Sequence, residues 1–129
     1  MNIADTIKFL ESGKDVDAQL EAFEQLNASV TDADLPALLA ALESTSSFWV
    51  RELLAEPIIR LSGAKALPQL MKAFRKNCDE GHDNDGFETF LVELAESDSE
   101  RVRVELQKLA PTARKEEMED INWLLEYCQ

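Results

Sequence analysis

The densest set of chemically able side chains lies between residues 79 and 85, Asp79-Glu80-Gly81-His82-Asp83-Asn84-Asp85, and it holds the only histidine of the chain. Carboxylates, an amide and an imidazole this close invite two chemistries: coordination of a cation, or capture of a basic group. A calcium loop fails on spacing. Oxygen ligands at alternate positions leading into Gly86 would begin on Gly81, and the closing bidentate glutamate would fall on Val92. Cys78 and His82 form one soft ligand pair, but no second Cys/His pair completes a tetrahedral site. The plainer reading is a helix start, in which Asp83, Asn84 or Asp85 accepts bonds from free amides and Asp85 stands three residues before Glu88, as in a capping box. A cap and a partner contact are compatible, because binding residues concentrate on polar loops. Trp49 is a further candidate: Trp49, Leu53 and Pro57 recur at helical spacing beside the main apolar stripe, and aromatic side chains anchor protein interfaces. The same face could equally pack against a neighbouring helix. The candidate partner-binding set is therefore Trp49, Asp79, Glu80, His82, Asp83 and Asp85, with no catalytic, cofactor or metal set beside it.

Catalysis finds little support. One histidine, no nucleophile elbow and no Gly-rich phosphate loop leave no acid, base and nucleophile to assemble. Charge points elsewhere. The chain of 129 residues carries 26 Asp and Glu against 13 Lys and Arg, a formal net charge of −13. Such a field repels phosphate backbones and anionic lipid, and it draws basic partners in. A basic protein partner is expected, with neither nucleic acid nor membrane as the target. Lys65, Lys72, Arg75 and Lys76 form the one local basic cluster, and Asp79-Glu80 interrupts it at once. No apolar run approaches the ~20 residues of a membrane span, and Met1-Asn2-Ile3-Ala4-Asp5 does not open a signal peptide. Cys78 and Cys128 follow no metal or redox spacing and suit free thiols, so the expected location is cytoplasmic.

The elements that must hold these residues are helical throughout. Apolar periodicity predicts about eight helices in a single domain over residues 1–129. They fall near Ala4–Glu11, Val16–Leu26 with Leu20, Phe23 and Leu26 inward, Leu35–Leu42, Phe48–Leu61, Lys65–Asn77, Gly86–Glu96, Glu100–Leu109 and Thr112–Cys128. Asp15 or Asp17 can cap the second, and Thr31 or Asp32 the third, whose Pro36 sits harmlessly in the first turn. Pro57 lies inside the fourth pattern and should bend it or loosen a turn. Residues 78–85 form the one long break, and successive helices should be antiparallel neighbours. Trp123, Leu124 and Tyr127 should seal the C-terminal end.

The helices also repeat. Leu35, Leu38, Leu42, Ser47, Val50, Arg51 and Leu54 overlay Phe87, Phe90, Leu94, Ser99, Val102, Arg103 and Leu106 at a constant offset of 52. Leu67-Pro68-Gln69-Leu70 repeats Leu35-Pro36-Ala37-Leu38 at an offset of 32. A helix, a short polar break and a second helix, recurring, is the pattern of stacked helical repeats. The recurring Arg51 and Arg103 should each pair with a carboxylate or carbonyl of a neighbouring turn.

From Val50-Arg51 through Gly63 to Ala66-Leu67-Pro68-Gln69-Leu70 the chain resembles the HEAT-like repeat family of the PBS-lyase type, and Asp98 before Val102-Arg103 resembles the element that opens its second helices. The resemblance implies a short right-handed α-solenoid of antiparallel helix pairs with a binding or scaffolding role. Three features depart from the family pattern: Pro57, the long break after Asn77, and a repeat phase that slips at that break. Joined to the acidity, the resemblance suggests an immunity or inhibitor protein that neutralises a basic toxin domain. The alternatives are a scaffold or assembly subunit, or a HEAT-like enzyme acting on nucleic acid or a chromophore. Oligomeric state is left open by the sequence.

Overall fold

A computed structural model describes residues 2–128. Among them there is no strand; α1 (Ile3–Glu11), α2 (Val16–Ser29), α3 (Leu35–Ser44), α4 (Phe48–Ser62), α5 (Leu67–Asp79), α6 (Asp85–Ser97), α7 (Ser99–Leu109) and α8 (Lys115–Leu125) account for the regular structure, with three short 3-10 turns between them. Each boundary has a local cause. The side chains of Asn2, Asp15 and Ser47 accept from the third residue onward, Asp5, Ala18 and Val50, at the starts of α1, α2 and α4. Thr31 and Asp34 close a reciprocal box before α3, and Glu117 accepts from the Arg114 amide before α8. Pro36 and Pro68 sit in first turns, where an amide would find no partner. Helix α4 runs unbroken through the buried Pro57.

The chain packs in two rows. α1 meets α3, α3 meets α5 and α5 meets α7; α2 meets α4, α4 meets α6 and α6 meets α8. Contacts such as α1 with α2, α3 with α4 and α7 with α8 tie the rows together over one continuous core. Leu38, Val50, Leu54, Ile58, Leu70, Phe87, Leu91 and Leu106 are fully enclosed in it. These are the positions marked by the three- and four-residue apolar spacing.

Three expectations need correction. Leu20 is 37% exposed rather than inward, and Val16 is 55% exposed. α2 ends its row, with α1 and α4 as its packing partners, so one apolar flank has nothing to cover it. The break after α5 is shorter than expected, because Cys78 and Asp79 complete α5 and Asp85 already opens α6, leaving residues 80–84. Gly81, at φ +83°, allows the tight stop: its amide bonds to the Cys78 carbonyl, and the His82 amide reaches the Asn77 carbonyl. Helix α8 starts at Lys115 and not Thr112, since Pro111 lies in a 3-10 turn.

The two sequence offsets mean different things in space. An offset of 32 carries α3 onto α5 within one row, which is the spatial step of the fold. An offset of 52 carries α3 and α4 onto α6 and α7, exchanging the rows. The longer repeat therefore records a shared helix–break–helix design, not equivalent places in the packing.

Candidate interaction surface

The residues around the 80–84 turn hang from one buried cation. Arg51, 0% exposed at the first turns of α4, donates to the Glu80 carboxylate at 2.7 and 3.3 Å, to the Asn77 side-chain oxygen at 2.7 Å and to the Thr45 carbonyl at 3.2 Å. Asn77 in turn donates to Asn84 Oδ1 at 3.1 Å, and Asn84 donates to the Phe74 carbonyl and to Cys78 Sγ, each at 3.1 Å. Thr45 donates to Glu11 on α1. The network joins α1, α4, α5 and the start of α6 through buried side chains, within which Arg51 Nε is left without an acceptor. Hydrogen bonds from Arg51 hold the Glu80 carboxyl below the ordinary glutamate range, against the opposing effect of its partial desolvation. Arg103, the sequence equivalent of Arg51, donates to the Cys128 carbonyl at 3.0 Å. Both arginines thus serve neighbouring turns, as expected of them.

The six candidate residues divide accordingly. Glu80 belongs to Arg51, and Asp79 pairs with Arg75 one turn earlier at 3.1 Å. His82 stacks on Phe48, ring centroids 3.9 Å apart, with Nε2 at 3.5 Å from Glu80. Trp49 is half buried against the core, and its indole nitrogen finds no acceptor. Asp83 accepts from the Asp85 amide, and both carboxylates are exposed. The fold therefore gathers Glu80 and His82 at Phe48 and sets Asp83 and Asp85 at the head of α6. Trp49 joins neither pair. No group of three or more His, Cys, Asp or Glu side chains is placed to hold a metal ion among the described residues.

Charge separates by row. Helices α2, α4, α6 and α8 carry thirteen carboxylates against only Arg51, Arg60 and Lys115, a net of −10. Of these three cations Arg51 is enclosed and Arg60 is bound to Asn27. Helices α1, α3, α5 and α7 set six carboxylates, Asp5, Glu11, Glu43, Asp79, Glu100 and Glu105, against seven cations, Lys8, Lys72, Arg75, Lys76, Arg101, Arg103 and Lys108, a net of +1, so that the acidic excess of the helices lies almost wholly in the other row. One row of the fold is acidic and the other is balanced.

The acidity is densest on α6. Asp85, Glu88, Glu93 and Glu96 follow one side of the helix over three turns, and none of them is ion-paired among the described residues. They line a groove whose far wall is Trp123 of α8 and Tyr127 in the turn just after it. Trp123 lies parallel to Phe74, centroids 5.4 Å apart and planes within 2°, and Tyr127 meets Trp123 edge-on at 5.9 Å and 70°. Crowding without a cation shows in the protonation equilibria. The hydrogen bond and charge of Asp83 push the Asp85 carboxyl up, and burial followed by the charges of Asp85 and Asp83 raises Glu88. Elsewhere on α8, burial raises Asp120 despite Arg75 at 3.1 Å, while bonding to Arg114 lowers Glu117.

These shifts have opposite signs in stability. A carboxyl raised on folding binds its proton more tightly in the folded state, so Asp85, Glu88 and Asp120 stabilise the fold as the pH falls into their range. A carboxyl lowered on folding contributes stability above its unfolded value and loses it below, as Glu80 and Glu117 do. Urea midpoints are therefore expected to rise from pH 7 toward the ordinary carboxylate range and to fall below it. The rise should shrink in an Asp85→Asn/Glu88→Gln variant; an unchanged rise would place its origin elsewhere.

Glu88, Glu93, Glu96, Trp123 and Tyr127 were not among the residues singled out from sequence. A signal for the first three was present, since residues 77–100 contain no Lys or Arg. Nothing in the sequence placed Trp123 and Tyr127 across from them. No helix among the described residues is long and apolar enough to cross a membrane. No protein-family model, no curated protein and no solved structure matches the chain.

Proposed function

We propose that the protein is a binding module, not an enzyme, whose acidic row docks a basic protein. The observation that carries this reading is the separation of charge: a net −10 on α2, α4, α6 and α8 beside a near-neutral opposite row. Random surface acidity, sufficient for solubility, would spread over both rows. A one-sided field instead orients an approaching cationic surface and speeds its association. The packing of every helix on the helix two places along supports a short right-handed α-solenoid of HEAT-like pairs, an architecture that offers one row as a continuous face. In concrete form the module is a cytoplasmic immunity or inhibitor protein, masking the phosphate-binding cleft of a basic toxin domain such as a nuclease. Asp83 and Asp85 extend the acidic face at the head of α6, whereas Glu80 and Asp79 are held by Arg51 and Arg75.

Carbodiimide cross-linking in the native cells tests this, because it joins carboxylates directly to a partner's lysines. The expected product is a basic protein linked to α2, α4, α6 or α8. Its association rate with the purified chain should fall at least about tenfold between low and physiological salt. Links confined to α1, α3, α5 and α7, or a salt-insensitive rate, would overturn the proposal.

A further inference from the structure

We infer that the groove between α6 and α8 receives an arginine-bearing segment of the basic partner, an inference that rests on the binding role proposed above. The groove is open to solvent and offers about 440 Å³ to a side chain laid into it. Its two walls differ in chemistry. On α6, Asp85, Glu88, Glu93 and Glu96 present carboxylates along ~16 Å of helix, at 1.5 Å per residue. At the end of α8, Trp123 and, in the turn that follows, Tyr127 present aromatic surface. Phe74 lies parallel to Trp123, which holds its ring plane, and the edge contact of Tyr127 holds the second ring relative to the first. The aromatic wall is thus set in place before any partner arrives.

A cationic side chain entering here meets a carboxylate on one side and a ring on the other. Guanidinium answers both, since it is planar, binds carboxylates through paired N–H groups and stacks on aromatic faces. Ammonium is a compact, strongly hydrated charge that gains less from the rings. The chain supplies no internal occupant: residues 77–100 hold no Lys or Arg, and the four carboxylates make no ion pair among the described residues. Asp85 and Glu88 carry a like-charge crowding that a guanidinium relieves. Charge complementarity therefore selects a cationic occupant, and the aromatic wall selects arginine over lysine.

The test uses the full chain, a short helical peptide with arginine at every fourth position, and its lysine counterpart of equal charge. Titration calorimetry gives affinity, and Trp123 fluorescence in a Trp49→Phe background reports the site. The arginine peptide is expected to bind about tenfold more tightly than the lysine peptide and to change the Trp123 emission. Glu93→Gln/Glu96→Gln, nearly isosteric at exposed positions, should weaken the arginine peptide about tenfold. Tyr127→Leu should reduce the preference for arginine while leaving lysine binding nearly unchanged, with circular dichroism confirming the fold. Neutralising Glu21, Glu24 and Glu56 as glutamines, on α2 and α4, should leave the arginine preference intact. Equal affinity for the two peptides, or an equal loss from the α2 and α4 changes, would reduce the groove to diffuse charge and overturn the inference. If a native basic partner docks on the acidic row but ignores the groove variants, this inference fails while the binding role stands. A partner docked on the opposite row ends the binding role itself, whatever the peptides do.

Discussion

Replacing Arg51 with alanine is expected to lower the unfolding free energy by about 3–5 kcal/mol, the cost of breaking a buried ion pair from one side. The residue is fully enclosed, and its four hydrogen bonds end on Glu80, Asn77 and the Thr45 carbonyl. Glu80 is one-third exposed and can recover water, so the penalty falls on Asn77 and Thr45, whose buried polar atoms lose their donor. A volume-preserving Arg51→Met keeps much of the packing yet leaves the same acceptors unpaired, at about 2–3 kcal/mol. Arg51→Lys should rescue little, because an ammonium cannot reach three acceptors through a planar fork. Urea denaturation measures all three, and Arg51→Ala should also melt about 10–20 °C lower. A loss below about 1 kcal/mol for Arg51→Ala would mean that the network follows the fold and does not hold it.

Phe87→Ala should cost a comparable amount, about 3–5 kcal/mol, through a cavity at the start of α6. Phe87 is fully buried and meets Phe74 edge-on, centroids 5.8 Å apart at 68°. Phe74 in turn stacks on Trp123, so a cavity at Phe87 reaches the aromatic wall of the groove through one intervening ring. The variant should therefore change the emission of Trp123 in a Trp49→Phe background, measured under conditions where the protein is still folded. Phe87→Leu, which fills more of the space, should cost clearly less and shift the emission less. Destabilisation without an optical change would break the proposed link between this part of the core and the groove; an effect below about 1 kcal/mol would show that the site collapses around the missing ring.

Much of the fold was legible because helical periodicity and caps are local. Leu38, Val50, Leu54, Ile58 and Leu106 are enclosed where the apolar spacing put them, and Asp15, Thr31 and Ser47 act at helix starts. Arg51 and Arg103 bond to neighbouring turns as their recurrence suggested. Leu20 departs from its periodicity because apolar spacing identifies a face but not whether another helix covers it, and α2 ends its row. The break is narrower than its polarity suggests because Asp85 suits the start of a helix, while Asp79 continues α5 paired with Arg75 one turn back.

The candidate surface was legible only in part. Its acidity stands in the composition, and the stretch without Lys or Arg marks where it peaks. Asp83 and Asp85 were recognised at the edge of that stretch, whereas Glu80 and Asp79 proved to have internal partners. The sequence by itself determined the helices, their caps, most of the buried stripe and the sign of the field, since each depends on residue type and on neighbours a few positions away. Tertiary structure alone decided which helices share a row, and hence that thirteen carboxylates gather on one of them. It also brought Trp123 and Tyr127 opposite Glu93 and Glu96 across a groove, and gave Glu80 to Arg51. The physical reason is that contacts between helices far apart in the chain depend on how whole faces pack together, which no local spacing encodes.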